Sequence, residues 1–236
     1  MKYRFRSILF VAEGGRGHVN GFALLFHEPT LKFCYLDYIS AAERKTGGGI
    51  GGALYERIRE EALDLDTVGL FFECLPDDPA LSREPVVRKQ NVARLRFYER
   101  YGAYPIIGTA YETPLKPGED NPPYLVYDNL GQGTVLPRDI AREIVRAVLE
   151  RKYKGVCPPG YVEMVVDSFR DDPVRLREPK YIKKPPVPMK RTTPADKRIM
   201  LVVNDRHWIH HVEERGYVES PVRIDVILKE LDETDL

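Results

Sequence analysis

Five of the six residues from 47 to 52 are glycine, and they stand between an apolar run and an amphipathic one in YLDYISAAERKTGGGIGGALYERIR, residues 35 to 59. Glycine has no Cβ, so its backbone adopts φ > 0 cheaply and lets another molecule approach closely. The first turn of a helix adds unpaired N–H groups and the positive end of the macrodipole. A glycine-rich turn at a helix start is therefore a seat for phosphate. A tight turn alone also uses glycine, but so many in a row cost much chain entropy for that purpose.

The rest of the composition bounds the partners. The 236 residues are 43% hydrophobic and 31% charged, which suits a globular protein with one sizeable core or two modest ones. Lys plus Arg and Asp plus Glu both number 36, so net charge argues for neither nucleic acid nor an anionic membrane as partner. Cys34, Cys74 and Cys157 are far apart and odd in number, which fits free thiols in a reducing cytoplasm better than a disulfide framework. No Cys/His spacing suggests structural zinc, and the N-terminal apolar stretch is too short for a signal peptide or a membrane span. The expected location is cytoplasmic.

Hydrophobic periodicity sets the elements. Residues 3 to 13, 22 to 26 and 31 to 40 read as strands at hairpin spacing, an antiparallel meander. From Gly49 to Leu63, Ile50, Leu54, Ile58 and Ala62 recur on one helix face. Val68 to Leu75 is nearly continuous in apolar residues, as a central strand is. Residues 76 to 87 read as a loop, and Asn91 to Tyr101 as a helix stopped by Gly102. Strands are expected at 105 to 113 and 123 to 128, completing a mixed α/β unit over 1–130. Residues 131–198 read as a connector, with a helix over 139 to 152 and a Pro/Lys/Arg-rich arm beyond 170. A short strand and helix are expected within 199–236.

The glycines admit more than one phosphate. Gly47-x-Gly49-x-x-Gly52 satisfies the dinucleotide fingerprint, with Glu73 at a strand end where a ribose-binding acid belongs. Against it, AAERKT separates strand from glycines, and the preceding strands read as antiparallel. A P-loop fails because Ala53 follows Gly52, where Lys is needed. The third reading rests on two motifs together: Gly49-Ile50-Gly51 between strand and helix, and Asn91, Tyr98 and Gly102 in N-x(6)-Y-x(3)-G, one strand later. This pair resembles the GNAT N-acetyltransferase superfamily over roughly residues 3 to 128. Thr46 stands at the first motif position, where the family has Arg or Gln. Arg44 gives a second register, and Arg44 or Lys45 is a candidate phosphate cation. The chain opens at what resembles the family's second strand, so its first strand and the helices that wall the acceptor pocket have no counterpart here.

The resemblance implies an α/β fold of the acyl-CoA N-acyltransferase type and acetyl-CoA as co-substrate. The N–H groups of Gly47, Gly48, Gly49, Ile50, Gly51 and Gly52 would hold the pyrophosphate. Those around Ile39 would follow the pantetheine, and that of Ala41 would meet the thioester carbonyl. Tyr98 would protonate the leaving thiolate, and Asn91 would contact the CoA arm or cap its helix. Alternation puts Tyr35, Asp37, Ile39 and Ala41 on one strand face. Asp37 and Glu73 are the candidate bases, with a water relay as the alternative. The implied reaction is acetyl transfer to a primary amine: a small amine, a polyamine or a lysine. A non-catalytic acyl-CoA sensor and a dinucleotide-binding domain are the alternatives, and a homodimer is left open.

Near the end, His207, Trp208, His210 and His211 have only scattered carboxylates nearby, so a metal site is not the favoured reading. His-x-Glu followed by Pro-x-Arg and an amphipathic run resembles the opening of histone deacetylase and acetylpolyamine amidohydrolase domains. This implies that 199–236 begins a deacetylase-like domain fused to the acetyltransferase-like one, with that family's zinc residues lying beyond Leu236.

Overall fold

In the computed structural model, which describes residues 5–14, 17–42, 49–116 and 120–183, the first three apolar runs become antiparallel neighbours. They are β1 (Arg6–Glu13), β2 (Val19–Glu28) and β3 (Phe33–Ala41). The chain then crosses over through α1 (Ile50–Asp64) to β4 (Leu70–Cys74), which runs parallel to β3. After α2 (Pro85–Glu99) come β5 (Ala103–Ile107), β6 (Tyr124–Asp128), α3 (Arg138–Arg151), α4 (Pro159–Asp167) and β7 (Arg175–Leu176). The strands form one seven-stranded sheet in the order β1-β2-β3-β4-β6-β5-β7, with β4 at its centre. Every pairing but β3–β4 is antiparallel. The expected mixed, mostly antiparallel α/β sheet flanked by helices is therefore present.

Each face of the sheet carries its own core. On one, Tyr55, Ile58 and Ala62 of α1 and Leu95 and Tyr98 of α2 cover Ala23, Leu25, Cys34, Leu36, Leu70, Phe72 and Cys74. Burial pushes the Cys34 and Cys74 thiols up to about 12, so both are inert, free and structural. On the other face, Ile144, Val145, Val148 and Leu149 of α3 and Val162, Val165 and Val166 of α4 cover Phe33, Tyr35, Phe71 and Tyr127. Between the layers, Arg59 of α1 donates to buried Asp128 of β6 at 2.8 Å, and Tyr55 Oη donates to the same carboxylate at 2.8 Å. Removing one partner of such a pair costs about 3–5 kcal/mol, because the other is left charged and dry.

Three expectations change here. The compact unit runs from Met1 to Lys190, so α3 and α4 belong to the sheet and not to a connector over 131–198. The second face is walled by these later helices, although the sequence reading found no counterpart for the family's early ones. Helix α2 begins at Pro85, six residues before Asn91, because proline is suited to the first helical turn. Helix α4 was not expected: it is short and prolines open it, although Val162, Val165 and Val166 share one helical face. Among the described residues no helix is long and apolar enough to cross a membrane. The second unit, Arg191–Leu236, with its deacetylase-like resemblance and its histidines, lies outside the described residues.

Candidate active site

β3 and β4 stay paired for only three steps, Cys34 with Leu70, Tyr35 with Phe71 and Leu36 with Phe72. β3 then continues against β2 as far as Ala41, while β4 continues against β6. The β4-facing edge of Asp37–Ala41 is left without a partner strand, and a gap opens in the middle of the sheet. Asp37 and Glu73 are the first residues past the fork. A sheet that opens this way offers unpaired backbone groups to an extended ligand.

A bulge shapes the fork. Leu25 pairs with Leu36 but Leu24 pairs with Tyr38, so Asp37 is an extra residue in β3. The insertion reverses the alternation, and Ile39 packs with the α1 and α2 core while Tyr35 faces α3. The expected single face of Tyr35, Asp37, Ile39 and Ala41 is thereby corrected. Asp37 stays with Tyr35, and Ile39 turns to the other side.

Beyond the open end of β3, α1 begins. Gly49 is its N-cap at φ 79°, a left-handed conformation in which a larger residue is strained. Its carbonyl accepts from Ala53 N–H at 2.8 Å. Helix geometry leaves the N–H groups of Ile50, Gly51 and Gly52 without intrahelical acceptors. A groove of about 560 Å³ runs past them, lined by Ala41, Gly49, Gly51, Glu56, Arg100 and Tyr101. No acidic side chain stands in the first turn, and a Cβ at Gly51 would meet open space. Arg44, Thr46, Gly47 and Gly48 lie outside the described residues. Arg100, at the end of α2, supplies a cation to the groove, a residue that sequence reasoning missed. It is far along the chain from the glycines and falls at an unspecified position between Tyr98 and Gly102.

On the α2 side of the gap, Tyr98 is buried with its ring against Phe72, at 4.3 Å between centroids, and against Tyr55, at 5.1 Å. Burial, and behind it the neighbouring Cys74, hold its phenol well above the ordinary range, so it stays protonated. Asn91 is fully enclosed in mid-helix. Its Nδ2 donates to the Pro76 carbonyl at 2.8 Å, with Ser82 Oγ at 3.5 Å. It neither caps α2 nor opens to a ligand: it pins the 75–84 loop, since a buried amide needs a partner.

On the α3 side the polar groups converge. Glu73 accepts from Tyr111 Oη at 2.7 Å and from Tyr153 Oη. Lys152, just past the end of α3, sits 3.1 Å from Asp37 Oδ1 and 3.4 Å from Glu73 Oε2, and donates to Tyr35 Oη at 2.8 Å. Burial, with Glu73 next in order, raises the phenols of Tyr35, Tyr111 and Tyr153. Below them lies a cleft of about 380 Å³, lined among others by Glu73, Tyr111, Asp120, Tyr153, Cys157 and Tyr161. Both expected carboxylates thus meet at one point, but only Glu73 lines the cleft. Glu73 also faces away from α1, which removes it as a ribose-binding acid beside the glycines. Among the described residues no cluster of three or more His, Cys, Asp or Glu could hold a metal.

The likeness among solved structures is to acetyltransferases. Nourseothricin acetyltransferase is 23% identical, with 51% of this chain and 62% of that one covered and a TM-score of 0.37. The ribosomal-protein-S18-alanine N-acetyltransferase of Escherichia coli is 16% identical over 52% of this chain and 68% of that one, at 0.40. A Bacillus anthracis protein assigned as a streptothricin acetyltransferase, in complex with acetyl coenzyme A, is 20% identical over 52% of this chain and 61% of that one, at 0.40. This chain therefore spans less than two thirds of the length of nourseothricin acetyltransferase. No protein-family model matches the chain, and no curated protein does.

Proposed function

We propose that this chain is an acetyl-CoA-dependent N-acetyltransferase of the GNAT type, acting on a primary amine. The observation that carries the reading is the parting of β3 and β4 after Leu36 and Phe72, with a glycine-bearing helix start at its open end. The diphosphate of CoA lies over the N–H groups of Ile50, Gly51 and Gly52 in the groove that Arg100 borders. The pantetheine follows the free edge of Ile39–Ala41 into the gap, and the thioester reaches the fork.

The acceptor enters from the opposite face, through the cleft under α3 and α4. Glu73 and Asp120 give that cleft two carboxylates, and its tyrosines give it aromatic walls, a lining suited to an ammonium-bearing acceptor. Glu73 is the base in this reading and Asp37 is not, since Glu73 alone faces the cleft. The amine gives Glu73 a proton and attacks the carbonyl carbon. As the C–S bond breaks, Tyr98 protonates the thiolate, its phenol being protonated at neutral pH. In the same reading Arg44, Thr46, Gly47 and Gly48 complete the phosphate seat. Residues 199–236 lead into a deacetylase-like domain in this reading.

Isothermal titration with acetyl-CoA, CoA and NADH tests the ligand. Acetyl-CoA and CoA are expected to bind, and NADH binding without CoA binding would overturn the assignment. A thiol-release assay with spermidine and lysine peptides tests turnover. One observation favours a second reading, a non-catalytic acyl-CoA sensor: Lys152 pairs with both candidate bases. Tight acetyl-CoA binding with no thiol release from any amine would select it.

A further inference from the structure

We propose that Lys152 is itself an acetyl acceptor, a self-modification site at the fork of the sheet. The inference rests on the acetyl-CoA reading above and adds to it. Lys152 Nζ lies against the first unpaired residue of each diverging strand, 3.1 Å from Asp37 Oδ1 and 3.4 Å from Glu73 Oε2. That is where the thioester arrives. The Lys152 side chain reaches the fork from outside the sheet, at the end of α3, between the rings of Tyr35 and Tyr153 at 4.6 and 4.9 Å. Its ammonium thus already occupies the position that an external acceptor amine has to take.

The chemistry needs no further reagent. The Lys152 ammonium passes one proton to the Glu73 carboxylate, and Nζ attacks the thioester carbonyl carbon. The new C–N bond forms, the C–S bond breaks, and Tyr98 gives its proton to the CoA sulfur. The second proton lost from Nζ restores Tyr98 by way of solvent, and the one on Glu73 returns to bulk water. The product is an amide at Lys152 and free CoA. Acetylation removes the cation from between Asp37 and Glu73, leaving the fork anionic and open to a cationic acceptor.

The test follows the acetylation of each lysine in the full chain over time after addition of acetyl-CoA, by digestion and mass spectrometry. Simple chemical acetylation follows exposure. It favours Lys32, whose side chain is 57% exposed, over Lys152 at 20%. Directed transfer reverses the order, and Lys152 is expected to react at least about tenfold faster than Lys32. Tyr98→Phe is expected to slow Lys152 and leave Lys32 unchanged, and Lys152→Arg to remove the fast site without creating another. If calorimetry shows acetyl-CoA bound but Lys152 reacts no faster than Lys32, or Tyr98→Phe leaves its rate unchanged, self-acetylation is overturned and the acetyl-CoA reading stands. If acetyl-CoA does not bind, both fall together.

Discussion

Tyr98 is the residue on which the proposed proton transfer to sulfur turns. Its ring packs against Phe72 of β4 and Tyr55 of α1, and its phenol is neutral across the physiological range. Tyr98→Phe removes one oxygen and no packing. Acetyl-CoA affinity is therefore expected to change little, while kcat for amine acetylation falls roughly 10²–10⁴-fold. Calorimetry beside a thiol-release assay checks both halves; equal losses in binding and turnover would show that the ring only packs. Spacing from Asn91 and Gly102 picked Tyr98 out of the sequence. The same spacing misassigned Asn91, because a motif records which residues recur, not whether they face a ligand or a loop carbonyl. Lys152 and Arg100 carried no such signal, since what brings each to its place is the end of a helix meeting distant strands.

At the scale of elements, α1 shows how a helix start is used. A helix N-terminus gains from an acidic residue, yet α1 has none in its first turn. Gly51→Asp fills open space, stiffens the chain and complements the dipole. It is expected to stabilise the fold by roughly 1 kcal/mol. The same charge faces the proposed diphosphate seat, and acetyl-CoA affinity is expected to fall about tenfold or more. Thermal unfolding and calorimetry on one variant thus give opposite signs. A variant more stable with unchanged affinity would move the phosphate elsewhere. The β3 bulge is the other decisive element. Were Asp37 paired regularly with no bulge, Ile39 would fall on the face of Tyr35, and the α2 side of the gap would lose an apolar wall. Alternation alone cannot reveal a bulge, because one added residue inverts every later position.

For the molecule as a whole, the segment after β7 acts as a fastening. Asp77 accepts from Arg177 Nη1 at 2.9 Å, Lys180 Nζ at 3.0 Å and Tyr181 Oη. Glu99 accepts the backbone N–H groups of Lys180, Tyr181 and Ile182. Together they bind residues 177–182 across the ends of β4 and α2. Burial works to raise the Asp77 carboxyl, but the bonds from Tyr181 and Lys180 and the nearby cations outweigh it and hold it below its ordinary value of 3.8. A depressed carboxyl stabilises fully above its unfolded value and stops doing so as pH falls through the folded one. The fastening is thus complete at neutral pH and fails only below about pH 4. Asp77→Asn is expected to cost about 1–3 kcal/mol and to speed tryptic cleavage after Lys180 at neutral pH. Cleavage as slow as in the unchanged chain would show that Glu99 alone suffices.

Local rules settled what depends on neighbours along the chain. Periodicity gave the strands from Arg6 to Ala41, α1, the central β4 and α3, because helix and strand faces repeat at fixed intervals, and glycine clustering marked the proposed phosphate seat. Tertiary structure decided the rest. That β3 and β4 part after Leu36, that Asp37 and Glu73 meet over Lys152, and that α3 and α4 roof the second face all depend on contacts between residues far apart in sequence. Such contacts arise from burial of complementary surfaces, and no short pattern encodes which distant surface an element will find.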